Sequence, residues 1–153
     1  KYIEKKYNPR LIIMGKGYNE KYLKSYIENN NINKNVQLIG YKKNPFPYII
    51  KSDILILSSK FEGLPNILLE AQYLKKYIIS SNCSSGPKEI LMNGKAGDLF
   101  KVNDHKTLAK KINYYCKNRN KFKKKILLGF NNLHRFDYNK NCKKYYKVIN
   151  GFF

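Results

Sequence analysis

The sequence predicts an α/β fold carrying a parallel sheet, and three observations support it. Short apolar runs recur along the chain: Leu11-Ile12-Ile13-Met14, Val36-Gln37-Leu38-Ile39, Ile54-Leu55-Ile56-Leu57 and Tyr77-Ile78-Ile79-Ser80. Segments with apolar residues at helical spacing separate them, which is the alternation of βα units. The third run is apolar at every position, as a strand covered by helices on both faces must be. The 153 residues, 42% of them apolar, suit one domain with its own core. Longer apolar stretches are absent, and none approaches the ~18–20 residues of a membrane span.

Each element follows from local signals. Residues 1–8 read as the end of a helix, with Tyr2, Ile3 and Tyr7 on one side. A buried strand over 10–14 stops at Gly15-Lys16-Gly17. Tyr22, Leu23, Tyr26 and Ile27 then mark one face of a helix that ends in the Asn29-Asn30-Asn31 run, since Asn tolerates the left-handed conformation at a helix terminus. A second strand covers 36–40, Pro45 and Pro47 open a short helix through Lys51, and a third strand covers 53–57. Pro65 stands at the first helical position of a helix to about Lys75. A fourth strand covers 77–80, a short helix runs from Pro87 to Met92, and Asp98-Leu99-Phe100 forms an edge strand. Asp104 caps a helix carrying Leu108, Ile112, Tyr115 and Cys116. The lysine-rich remainder gives one or two further helices, with Phe136, Tyr145, Tyr146 and Val148 available for packing. The four main strands are expected in one parallel sheet, with Gly15, Tyr41, Glu62 and Gly86 at a single edge.

A formal charge of +21 raises the question of a polyanionic partner. Only Arg10, Arg119 and Arg135 are arginines, whereas 28 residues are lysines. Arginine is the residue that reads guanine and clamps phosphate bidentately, so this composition argues against nucleic acid. Lys, Asn, Ile and Tyr share AT-rich codons, and a biased genome accounts for much of the excess. Attraction to an anionic lipid surface is a secondary expectation. Cys83, Cys116 and Cys142 have neither metal-ligand nor disulfide spacing, and with His105 and His134 the only histidines no metal is expected. Three lone thiols suit a reducing compartment, hence a cytoplasmic protein, with contact at the inner face of the plasma membrane as its peripheral option.

Ligands in such sheets bind beyond the carboxyl ends of the strands, which singles out loops 15–18, 40–44, 58–66 and 81–88. Gly15-Lys16-Gly17 lacks the third glycine of a nicotinamide-dinucleotide fingerprint, Glu20 standing in its place. The segment from Ser58 to Ala71 is more specific. Leu64 is a poor N-cap before Pro65, so the first amides of the following helix are left for an anion such as phosphate. Glu62 in the loop and Glu70 on the second helical turn suit hydroxyl groups on either side of that phosphate. Glu62 as a loop acid and Glu70 as a solvated helix residue is the competing reading of this segment alone. Gly86-Pro87-Lys88-Glu89 reads equally as a turn or as a second set of helix-start donors.

The segment Glu62-Gly63-Leu64-Pro65-Asn66-Ile67-Leu68-Leu69-Glu70 resembles the Glu-x7-Glu motif of the family-four retaining glycosyltransferases. The resemblance extends to Leu38-Ile39-Gly40-Tyr41 upstream, and to Ser84-Ser85-Gly86-Pro87-Lys88-Glu89 and Asn93-Gly94-Lys95-Ala96-Gly97 downstream, over roughly residues 9–115. It implies a Rossmann-like parallel sheet with helices on both faces, the C-terminal half of the two-domain B-type glycosyltransferase fold. Residues 1–153 would be the nucleotide-sugar-binding domain, with about 120–153 a helical extension. By the same resemblance, Glu70 accepts from ribose hydroxyls and Glu62 is the catalytic residue facing the transferred sugar. The amides of Gly63, Leu64, Pro65 and Asn66 would serve sugar and diphosphate (Pro65 through its backbone position, having no N–H), Tyr41 and Lys42 would meet the base, and Gly15 and Gly17 would line the cleft.

The family's domain begins one strand and one helix earlier, with a basic pair on the diphosphate, so the chain is expected to be N-terminally truncated. The implied donor is a nucleotide-diphosphate sugar. The acceptor, a saccharide or lipid-linked chain of bacterial surface polysaccharide synthesis, would be held by a missing N-terminal domain. The chain alone would then be inactive. In this family protein cations and amides, without a metal or cofactor, stabilise the leaving diphosphate. A nucleotide-sugar epimerase of the same fold, a basic nucleic-acid-binding module and a non-catalytic remnant are the rival readings.

Overall fold

The computed structural model describes residues 2–152. The strands are β1 (Leu11–Met14), β2 (Val36–Gly40), β3 (Ile54–Leu57), β4 (Tyr77–Ser81) and β5 (Asp98–Phe100). The helices are α1 (Glu20–Asn29), α2 (Phe46–Lys51), α3 (Asn66–Tyr73), α4 (Gly86–Ile90), α5 (His105–Lys117), α6 (Lys123–Asn131) and α7 (Tyr138–Asn150). Every strand pairing is parallel. The expected single sheet is instead two ladders, β1-β2 and β3-β4-β5. The reason is in the strand order. A doubly wound sheet runs 3-2-1-4-5-6, and these ladders correspond to its 3-2 and 4-5-6 portions. Among the described residues no strand joins the free edge of β1 to that of β3.

The three-stranded ladder carries the core. Side chains alternate along a strand, and here the alternation divides two apolar layers. Leu55, Leu57 and Ile78 meet Ile49 of α2, Leu68 and Ala71 of α3 and Ile90 of α4. Ile54, Ile56, Tyr77 and Ile79 meet Ile112 and Tyr115 of α5, together with Phe122. β4, flanked by a strand on each side and by a layer on each face, is buried at all five positions. Tyr77 stacks on Tyr115 at 4.3 Å between ring centroids, with Phe122 edge-on to both. Its hydroxyl is buried without a well-formed hydrogen bond. Burial, then the nearby Asp98 carboxylate, pushes the Tyr77 phenol far above its ordinary pKa.

Asp98 lies largely buried at the start of β5 and is held by Lys125 at 2.5 Å and Lys111 at 3.2 Å. Burial opposes its charge, but the hydrogen bond and charge of Lys125, helped by Lys111, keep its pKa below the usual carboxylate value. The Asp104 cap on α5 is present, its carboxylate accepting from the Thr107 N–H at 2.9 Å.

Several expectations are corrected. The segment before β1 is a short turn of 3-10 helix over Lys5–Tyr7, ended by Asn8 in the left-handed conformation; Lys1 lies outside the described residues. β1 is not buried, Leu11 and Ile12 being 44% and 45% exposed. It has one neighbouring strand, and of the α1 residues only Ile27 is fully buried, with Tyr22 and Tyr26 exposed. Pro65 precedes α3 as its N-cap residue in extended conformation, and the helix ends at Tyr73. α4 spans Gly86–Ile90 rather than running from Pro87 to Met92. Phe136 packs on the core, but Tyr145, Tyr146 and Val148 are exposed, because α7 has no described element against most of its apolar face. Asn31, as expected, takes a left-handed backbone after α1.

Candidate functional site

The site is built at the carboxyl ends of β3 and β4. Beyond Leu57 the chain turns outward through Ser58 to Pro65 before entering α3, and two serines fix that turn. The Ser81 hydroxyl, fully buried at the end of β4, donates to the Ser59 carbonyl at 2.6 Å. The Ser59 hydroxyl donates to Glu62 Oε1, also at 2.6 Å. From the following loop, the Ser85 hydroxyl approaches the Glu62 carbonyl at 3.4 Å. Gly86 sits directly against the turn. A Cβ at this position would fall 1.8 Å from the Gly63 carbonyl oxygen and 2.7 Å from Pro65 Cδ, so only glycine permits the approach.

No side chain caps the start of α3. The helix-start N–H groups and the positive end of the helix dipole are thus available to an anion. Glu62 and Glu70 are both half-buried. Neither forms an ion pair among the described residues, although basic residues outnumber acidic ones 31 to 10.

Four of the sequence-predicted residues line two hollows. Gly15 and Gly17 line one, of about 210 Å³, with Ile13, Leu23, Leu38 and Gly40. The Gly15 N–H donates to the Gly40 carbonyl at 2.9 Å, joining the loops after β1 and β2. Gly63 and Leu64 line the other, a cleft of about 650 Å³ whose volume falls in the range of small-molecule sites. Tyr41, Lys42 and Asn66 are exposed, and Pro65 is buried against Gly86. Tyr41, Lys42, Pro65, Asn66, Glu62 and Glu70 line neither hollow.

Sequence reasoning missed the far wall of the larger cleft, formed by Arg135, Phe136, Asn141, Lys144, Tyr145 and Val148. Arg135 and Phe136 lie in a 3-10 turn before α7 and the other four on α7, and no local pattern announces their place at the cleft. Arg135 is tied there by a hydrogen bond to the Glu89 carbonyl at 3.1 Å. Ser59 and Ser81 were also missed. Their signal was available, since one lies three residues before Glu62 and the other ends the Tyr77-Ile78-Ile79-Ser80 strand.

A family model described as glycosyl transferases group 1 matches residues 1–127, most of the chain. The chain belongs to this family. An uncharacterized glycosyltransferase of Methanocaldococcus jannaschii is 43% identical over 88 residues, covering 58% of this chain and 22% of that protein. The Campylobacter jejuni N-acetylgalactosamine-N,N'-diacetylbacillosaminyl-diphospho-undecaprenol 4-alpha-N-acetylgalactosaminyltransferase is 27% identical over 107 residues, covering 70% of this chain and 29% of the relative. Among solved structures, Anabaena HepE in complex with UDP superposes with a TM-score of 0.82 at 17% identity, over 94% of this chain and 41% of that one. This likeness shows the fold. The chain thus spans less than a third of the two curated relatives' lengths. The resemblance read from the Glu62 to Glu70 segment is borne out at the level of family, and the fold is the α/β C-terminal half of the B-type architecture. Among the described residues, no helix is long and apolar enough to cross a membrane.

Proposed function

We propose that this domain binds the nucleotide-diphosphate sugar of a retaining glycosyltransferase, which passes a hexosyl or N-acetylhexosaminyl group to a saccharide or lipid-linked acceptor. The observation that carries the reading is the loop after β3. Its Glu62 carboxylate is oriented by Ser59 beside the uncapped start of α3. A diphosphate at that helix start is favoured by free N–H groups and the helix dipole. Glu62 then accepts from the sugar, and Glu70, one helical turn inward, accepts from the ribose. Tyr41 and Lys42 meet the base, while Gly15 and Gly17 allow close approach of the backbone. The acceptor is bound by another part of the enzyme. A UDP-bound structural neighbour and a relative named for a diphospho-undecaprenol substrate support both halves of this reading. In the reaction, donors already aimed at the leaving diphosphate stabilise charge as it develops.

The two glutamates separate under test in the enzyme that carries this domain. Glu70→Gln weakens uridine diphosphate and the sugar donor alike, by ~10- to 100-fold, the worth of a charged hydrogen bond. Glu62→Gln leaves the free nucleotide's affinity unchanged and lowers turnover, since its contact matters most in the transition state. Calorimetry with uridine diphosphate, paired with steady-state rates, measures both. Unchanged binding and unchanged rates in both variants would return the pair to solvated surface acids.

A further inference from the structure

We propose that Ser59 and Ser81 are positioning residues for the Glu62 carboxylate, forming a two-step hydroxyl relay from the buried end of β4 to the rim of the site. The proposal rests on the reading of Glu62 as the group facing the transferred sugar. Three observations carry it. Both bonds are short, 2.6 Å from Ser81 Oγ to the Ser59 carbonyl and 2.6 Å from Ser59 Oγ to Glu62 Oε1, the first holding the Ser59 backbone and the second placing its hydroxyl on the carboxylate. The relay starts from a rigid element, because Ser81 is 0% exposed and closes the strand that is buried throughout. It also ends on a carboxylate that takes no lysine partner among the described residues of a chain bearing +21.

The neutral partner matters chemically. A lysine in place of the Ser59 hydroxyl would orient the carboxylate but offset its negative charge. A serine fixes the rotamer and leaves the full charge for the reacting sugar, where positive charge grows in glycosyl transfer. The bond occupies Oε1 and leaves Oε2 to accept from a ligand hydroxyl. Ser85 meets the Glu62 carbonyl and Gly86 packs against Gly63 from the other side, so the turn is held at Glu62 and just beyond it. Positions held by packing and by such supporting hydrogen bonds are what a reacting group needs to stay within a fraction of an ångström.

The test uses the enzyme carrying this domain, with Glu62→Gln as reference. Ser59→Ala is expected to lower kcat by ~10- to 100-fold with the dissociation constant of uridine diphosphate within about twofold of the parent, the signature of an interaction realised in the transition state. Ser59→Thr, which keeps the hydroxyl, restores most of the rate. The double variant of Ser59→Ala with Glu62→Gln loses little beyond Glu62→Gln alone, because the two act as one unit. Ser81→Ala gives a smaller loss in kcat, since it acts through the Ser59 backbone; if it does not fold, the Ser59 variants decide.

If Glu62→Gln loses turnover while Ser59→Ala keeps kcat within twofold, the relay is wrong and the reading of Glu62 stands. If Ser59→Ala loses nucleotide binding and thermal stability along with rate, or Ser59→Thr rescues nothing, the serine is merely structural and the proposal is overturned. If Glu62→Gln loses no turnover, the reading of Glu62 itself fails, and the relay with it.

Discussion

The two ladders of this molecule are made of similar residues and experience different surroundings. β4 (Tyr-Ile-Ile-Ser-Ser) is buried at every position, whereas β1 (Leu-Ile-Ile-Met) is exposed at two of its four and half-buried at the rest. The apolar content of β1 is no lower. What differs is that β4 has a strand on each side and a helical layer on each face, while β1 has one strand and a sparsely packed α1. Burial is therefore a property of the neighbours a strand acquires. An apolar run states what a strand requires, and only the assembled sheet determines whether it is met.

The largest test of this contrast is truncation in each ladder. Ile79→Ala removes a side chain with no exposure between Phe100, Ile112 and Tyr77, and costs about 2–5 kcal/mol. Ile12→Ala, at a residue nearly half exposed, costs under about 1 kcal/mol. Denaturant unfolding of both variants measures the difference. Equal losses would show that β1 is packed as tightly as β4.

A second pair sharpens the comparison at the loops. Gly86→Ala drives a methyl group into the Gly63 carbonyl, so it destabilises by about 1–3 kcal/mol and displaces the Glu62 turn. Gly17→Ala meets nothing within 4 Å and leaves stability within about 0.5 kcal/mol. Thermal unfolding together with calorimetric titration of nucleotide reads both effects. A Gly86→Ala protein as stable as its parent would mean that the two loops are not in contact.

The smallest expected effect is electrostatic and belongs to the three-stranded ladder. Because the folded-state pKa of Asp98 lies below its ordinary 3.8, the unfolded chain binds the proton more readily. The contribution of Asp98 is present above that ordinary value and is lost as pH falls through the lower folded one. Stability of the parent protein thus declines below about pH 4, and Asp98→Asn flattens that part of the profile. Urea midpoints taken across acidic pH check the sign. An identical acid slope in both proteins would remove Asp98 from the account.

The βα order, the cap at Asp104 and the left-handed Asn31 were legible because they depend on local chemistry. So was the Glu62 loop, since Pro65 and the apolar residues of α3 fix where a helix begins after a strand. Three features were not legible. The break between the ladders depends on strand order, which apolar spacing does not encode. Phe122 reads as an isolated aromatic in a lysine run, yet it packs edge-on to Tyr77 and Tyr115. Arg135, in the turn before α7, and Lys144, on α7, reach the cleft only through the folded path of the last helices.

Among the described residues, the edge of β1 away from β2 has no partner strand. Its four residues include no lysine, proline or inward charge of the kind that guards most exposed strands. What separates two such edges is the repulsion between bodies of charge +21. That repulsion reaches ~8 Å at physiological ionic strength and only ~3 Å in molar salt. Within the described residues, the shielding of this edge thus rests on a solution property, ionic strength, rather than on the residues of the strand itself.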